Sequence, residues 1–215
     1  MKNPPKPILY YIYDPMCSWC WGYSPTWLLL QKKLEPFVQI NTLVGGLAED
    51  SNVPMPEEMQ HFLQQTWKKI SAELGTQFNF DFWSQCQPKR STYPSCRAVL
   101  IARQHHKEQA MCLAVQEAYY LHAQNPSEVN TLTKIAVSIG LDGDSFAREI
   151  NSDRVNQQLV SEIAKVRTMP VQGFPSLVLS VGGEQFPVRV DYKNWQTNYD
   201  VILSILKKVD PNHKK

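Results

Sequence analysis

Residues 7 to 13, PILYYIY, form an apolar and aromatic run with strand-forming side chains on both faces, which suits a buried strand. The run stops at Asp14-Pro15, a turn signal. From Cys17 to about Leu34 the pattern lengthens, with Trp21, Trp27, Leu28, Leu30 and Leu34 before Glu35-Pro36, so a helix is expected there. Ser24-Pro25 should kink or restart that helix, with Ser24 as its cap. Residues 37 to 46, FVQINTLVGG, alternate and then meet two glycines, the pattern of a second strand. A connection of this length is too long for a hairpin and implies a parallel, right-handed βαβ unit. Two thiols, Cys17 and Cys20, lie where its first strand hands over to its helix.

Between about Pro54 and Met169 strand signals vanish, and apolar positions recur at helical spacing in five segments from EEMQHFLQQTWKKISAEL to DRVNQQLVSEIAKV. Ser127 and Ser152 are expected to cap helices and Gly140 to end one. Strand character returns at 176 to 181 (SLVLSV) and, after a Gly182-Gly183 turn, at 184 to 190. Pro187 places that last strand at an edge. A final helix is expected from Asn194 to Val209. The fold class is α/β: βαβ, a helical insertion, then ββα. The expected domains are residues 1–50 with 170–215, and an inserted helical domain over 51–169.

A chain of 215 residues with 43% hydrophobic composition buries enough core to fold without disulfides or metal. Its 22 basic and 20 acidic residues are mixed, so no charged field is concentrated for nucleic acid or an anionic membrane. The first residues lack the pattern of a signal peptide, and no apolar run reaches the roughly 18 residues of a membrane span. A cytoplasmic location is therefore expected. Five cysteines at irregular spacing do not resemble a secreted disulfide framework, and a reducing compartment would keep most of them as thiols. The sequence leaves the oligomeric state open.

The element order, with CSWCWG at 17 to 22 opening the first helix and VQGFPSLVL at 171 to 179 leading into the third strand, resembles the thioredoxin fold. The helical insertion makes it similar to the DsbA-like branch. The resemblance implies that the Phe174-Pro175 bond is cis and lies against the thiols, with Phe174 offering backbone groups to an extended substrate. The stretch STYPSCRAVLIA (91 to 102) is also similar to a helix start in cytoplasmic DsbA-like proteins, where a polar group lies near the active site. That makes Cys96 a candidate substrate contact. Many relatives carry a buried acid six residues before the first cysteine, as proton acceptor for the second; here that position is Tyr11, with Asp14 closer to the motif.

Exchange begins with attack by a thiolate, and unpaired N–H groups at a helix start stabilise charge on a sulfur there. Cys17 has that position and is the expected nucleophile. Cys20, one turn further in, is the expected resolving thiol. Ser18 and Trp19 lie between them as candidate substrate contacts. Zinc is disfavoured, because a second CxxC or a His pair at ligand spacing is missing, and His105 and His106 face different sides of a helix. Cys112 reads as a small core residue and Cys86 as an exposed loop thiol.

The leading expectation is a thiol-disulfide oxidoreductase acting on protein or small-molecule thiols and disulfides. It needs no cofactor, with glutathione as a co-substrate at most. One alternative on the same scaffold is a glutathione-dependent isomerase or transferase of the kappa or 2-hydroxychromene-2-carboxylate isomerase type. Another is a non-enzymatic adaptor that binds a partner protein.

Overall fold

The computed structural model describes residues 6–209. Strands β1 (Ile8–Tyr13), β2 (Gln39–Val44), β3 (Ser176–Val181) and β4 (Glu184–Val188) form one sheet in the order β2-β1-β3-β4. The β1–β2 pair is parallel, with Ile8 opposite Gln39 and Tyr13 opposite Val44. The β1–β3 and β3–β4 pairs are antiparallel. Helix α1 (Ser18–Leu34) makes the crossover from β1 to β2, completing the expected βαβ unit. Pro187 sits in the edge strand β4, where its missing N–H costs no central ladder bond.

Two strands are shorter than the pattern suggests. The amides of Phe37 and Val38 bond back to the Leu34 carbonyl, so β2 begins only at Gln39. At the other edge, Asn198 donates its amide to the Arg189 carbonyl at 2.6 Å and accepts the Asp191 N–H at 3.1 Å. Those backbone groups are thereby taken from the ladder, and β4 ends at Val188.

Helix α1 runs unbroken through Pro25. The expected restart at Ser24 does not occur. Tyr23, Trp27 and Leu30 hold the helix into the core on both sides of the proline, and packing of this kind outweighs the loss of one backbone hydrogen bond. The cap position of α1 is Cys17.

Seven helices follow β2: α2 (Glu57–Leu74), α3 (Phe82–Gln85), α4 (Tyr93–Gln104), α5 (Glu108–Tyr120), α6 (Val129–Ser138), α7 (Gly143–Glu149) and α8 (Asp153–Arg167). Helix α9 (Trp195–Val209) closes the described chain. The short α3 and α7 span too few residues to show a periodicity. Ser152 caps α8 through the Val155 amide, and Gly140, at φ +78°, follows the end of α6. Ser127 is not a cap: its hydroxyl donates to the Ser91 carbonyl at 2.7 Å, and α6 starts after Glu128.

The main core joins α1, β1, β3, α4 and α9 through Leu9, Leu30, Val99, Leu179 and Ile202. A second, aromatic core gathers Met16, Trp67, Phe82, Tyr119 and Tyr120. It ties the helical elements to the thiol motif, because the Tyr120 hydroxyl donates to the Met16 carbonyl at 2.7 Å.

Candidate functional site

The turn after β1 sets the geometry of the thiols. The Cys17 N–H donates to the Asp14 carbonyl at 3.0 Å, and the Cys17 carbonyl accepts the Trp21 N–H, which starts α1. Cys17 therefore stands at the positive end of the helix, with no acidic residue in the first turn to compete for it. Cys20 lies one turn deeper and is fully buried. Burial pushes the Cys20 thiol well up, and its hydrogen bond with Cys17 and a charge on that neighbour act in the same direction.

The structure brings the second motif to the first. The Cys17 thiol donates to the Phe174 carbonyl oxygen at 3.4 Å, across 157 residues of sequence. The Phe174-Pro175 peptide is cis, and Pro175 is buried just before β3. Phe174 is seated by a glycine at the end of β2: a Cβ on Gly45 would lie 2.0 Å from its Cζ. Nothing larger than glycine leaves that ring in place.

Beside Cys17 runs a groove of about 280 Å³, walled by Met16, Trp19, Leu47, Met55, Phe62 and Phe174. Ser18 also borders it, and Arg90 supplies positive charge on one side, beside a Lys89 that is paired with Glu128. Trp19 is half-buried, packed 5.1 Å from the Tyr192 ring with the Lys69 ammonium over its other side. A wider cleft of about 600 Å³ lies beyond Lys89, where Lys89 pairs with Glu128 and Arg97 with Asp50.

Asp14 proves central. Its carboxyl is fully buried and accepts hydrogen bonds from the Met16 N–H (2.8 Å), the Leu47 N–H (2.7 Å), the Thr92 hydroxyl (2.6 Å) and the Cys96 thiol (3.5 Å). Burial raises its proton affinity, while the Thr92, Leu47, Met16 and Cys96 hydrogen bonds pull the other way. The charge of Asp14 also acts on Cys20, Cys96 and Cys112. The sequence marks Asp14 as a turn residue and as the acid nearest the thiol motif, but not as buried. Its signal was an acid placed three residues before Cys17, at the end of a buried strand.

The structure places Cys96, an expected substrate contact, at the Asp14 carboxyl. Cys96 is fully buried and does not border the groove; its thiol is spent on Asp14. Burial and the Asp14 charge push that thiol well up. Tyr11 is buried too, stacked between Tyr13 and Trp27, and burial holds its hydroxyl protonated. Cys86 is half-buried rather than exposed and donates to the Ala123 carbonyl at 3.0 Å. Cys112 is half-buried and borders a cavity between α1 and α5. Among the described residues, no helix is long and apolar enough to cross a membrane.

Comparison with known proteins places this geometry. A family model described as thioredoxin matches residues 10–191. A Nitrosomonas europaea crystal structure, provisionally assigned as a protein disulfide isomerase, superposes with a TM-score of 0.82 at 26% identity, covering 95% of this chain and 99% of that one. The cytosolic disulfide reductase DsbM of Pseudomonas aeruginosa superposes with a TM-score of 0.74 at 22% identity, covering 92% of this chain and 98% of its own. DsbM is also known in a complex with glutathione. Among curated proteins, the ClpXP adapter protein SpxH of Bacillus subtilis is 25% identical over 179 residues, 81% of this chain and 59% of its own. The chain thus spans about three fifths of the length of the curated relatives it matches.

Proposed function

The chain belongs to the thioredoxin family, with a DsbA-like form of the fold, and from that membership we propose that it is a thiol-disulfide oxidoreductase working through Cys17 and Cys20. The observation that carries this reading is the 3.4 Å contact between the Cys17 thiol and the Phe174 carbonyl. It sets a helix-start thiol against a strand-entry backbone, where an extended substrate can pair.

In the reductive direction, the Cys17 thiolate attacks one sulfur of a substrate disulfide. The substrate S–S bond breaks, a mixed disulfide forms on Cys17, and the other substrate sulfur leaves and takes up a proton. Cys20 then gives up its proton and attacks the Cys17 sulfur. The Cys17–Cys20 bond forms and the second substrate thiol departs, so two electrons have passed to the substrate. Asp14 is the buried carboxyl whose charge reaches Cys20 and whose raised proton affinity suits it to receive that proton. Ser18, Trp19 and Phe174 border the groove that would hold the substrate. Glutathione, present in the DsbM complex, is the small thiol we assign to regenerate the pair, in the cytoplasm. A second thiol, Cys20, hydrogen-bonded to the one beside Phe174 favours this dithiol chemistry over a glutathione-dependent isomerase.

The test is equilibration in glutathione redox buffers with alkylation trapping, alongside insulin reduction by wild type, Cys17→Ser and Cys20→Ser. A reversible Cys17–Cys20 disulfide and loss of reduction in Cys17→Ser are expected. Unchanged reduction in Cys17→Ser would refute the proposal.

A second reading, that the protein is an adaptor, draws on the SpxH relatives and on the apolar side chains around the groove, where Phe62 is 63% exposed. It predicts that partner capture survives Cys17→Ser and fails in Phe62→Asp.

A further inference from the structure

Behind the thiol pair, on the other side of α1 from the groove, a cavity of about 390 Å³ opens between α1, α5 and strands β1 and β2. Its volume falls in the range of small-molecule sites, about 300–1,000 Å³. Tyr13, Tyr11 and Trp27 contribute a column of rings, with centroids 5.1 Å and 4.1 Å apart, and Leu28, Ile40 and Leu113 add aliphatic wall. Polar groups converge on the same space from Gln31, Thr42, Gln109 and Gln116.

The charge of the lining restricts what can enter. Among the described residues, no lysine, arginine or histidine lines the cavity. Of its two carboxylates, Glu108 is neutralised by Arg103 at 2.7 Å, whereas Glu35 is exposed at the mouth and makes no ion pair among the described residues. Inside the cavity an anion would find no counter-charge among the described residues; the one ammonium at the mouth, Lys6, is held on the Glu35 carbonyl at 2.7 Å. An aromatic ring meets the edges of Tyr11 and Trp27, whose faces are stacked on one another, with the aliphatic wall of Leu28, Ile40 and Leu113, and a positive charge gains from Glu35.

We propose that this cavity is a binding site for a planar aromatic small molecule that is cationic or uncharged. The site is wired to the thiol motif through Ser24, whose Oγ lies 3.0 Å from both the Cys20 carbonyl oxygen and the Gln116 side-chain oxygen. Occupancy that engages Gln116 is therefore felt at the backbone of Cys20. The binding itself draws nothing from thiol chemistry and stands whether or not the oxidoreductase reading does.

Proflavine, a planar aromatic cation, is a suitable probe, titrated against the full chain and followed by its fluorescence anisotropy. Saturable one-site binding is expected. The paired exposed substitutions Glu35→Lys and Gln109→Lys leave the fold intact and should weaken it about tenfold or more, the scale of two like charges brought near a bound cation. Leu28→Trp fills the cavity and should abolish binding, while the anion anilinonaphthalene sulfonate should not compete. Absence of saturable binding, wild-type affinity in the paired lysine variant, or equal competition by the anion would each overturn the assignment.

Discussion

The Cys96 thiol donates to Oδ2 of Asp14 at 3.5 Å, joining the start of α4 to the turn that carries Cys17 across 82 residues of sequence. The same oxygen takes the Thr92 hydroxyl and the Leu47 amide, so one carboxylate fixes three segments around the thiol motif. Cys96→Ala removes a donor from a buried acceptor and leaves a small void. A loss of about 1–2 kcal/mol is expected in urea unfolding, whereas Cys96→Ser, which keeps a donor, should cost less. In native-state alkylation mapped by mass spectrometry, Cys17 should react while Cys96 stays unmodified until the chain unfolds. Alkylation of both at one rate would return Cys96 to the groove.

The buried Asp14 gives stability a pH dependence of definite sign. Its proton affinity is raised in the folded chain from the ordinary carboxyl value of 3.8. The folded state then holds this proton to higher pH than the unfolded chain. The stability it contributes is fully present below about pH 3.8 and is lost as pH rises through the folded value. In the difference between wild type and Asp14→Asn, wild-type unfolding free energy should fall relative to the variant as pH climbs from about 4. A flat difference, or one rising with pH, would mean that the four hydrogen bonds outweigh burial.

The βαβ unit, the edge position of Pro187 and the pairing of CSWC with GFP were legible because each depends on local pattern or on a motif of few residues. The inserted helices of ten residues or more were legible for the same reason, through their period. What stayed hidden is set by partners remote in sequence. Asn198 decides where β4 ends. Leu47 and Thr92, 33 and 78 residues from Asp14, turn a turn residue into a buried hub. Cys96 and Cys17 look alike in sequence, each at a helix start, and only tertiary placement separates a thiol held by a carboxylate from one that borders a groove.

A charged cluster at the C-terminal ends of β1 and β2 should carry measurable stability. Arg103 on α4 pairs with Glu108 on α5 and Glu162 on α8, while Glu108 also accepts from Tyr13 and Thr42, and Glu162 from the Val44 amide. The attached carboxylates hold Arg103 firmly charged, against the opposing effect of burial. Arg103→Met strands two largely buried carboxylates. Since the arginine is partly solvated, a loss of about 2–3 kcal/mol is expected, at the low end for breaking buried pairs. Glu162→Gln should cost less, because an amide still bonds. Equal urea midpoints for Arg103→Met and wild type would show the cluster to be energetically neutral.

Gly45 is the residue that lets Phe174 stand beside Cys17. The Gly45 amide donates to the Tyr13 carbonyl at 2.7 Å, which pins the end of β2 to β1, and the Phe174 ring covers the space a side chain would need. With a Cβ at 2.0–2.1 Å from two ring atoms, Gly45→Ala forces the ring out and shifts the backbone that carries the Cys17 contact. Overpacking of this kind costs about 1–3 kcal/mol, so the variant should fold with reduced stability. Insulin reduction should fall more than about tenfold, the effect of an ångström-scale misplacement at a reacting centre, while Cys17 remains open to iodoacetamide. Adding Phe174→Ala in the Gly45→Ala background removes the clash and should recover the lost stability without recovering the reduction rate. If Gly45→Ala alone reduces insulin at the wild-type rate, the Phe174 backbone is not the platform on which exchange takes place.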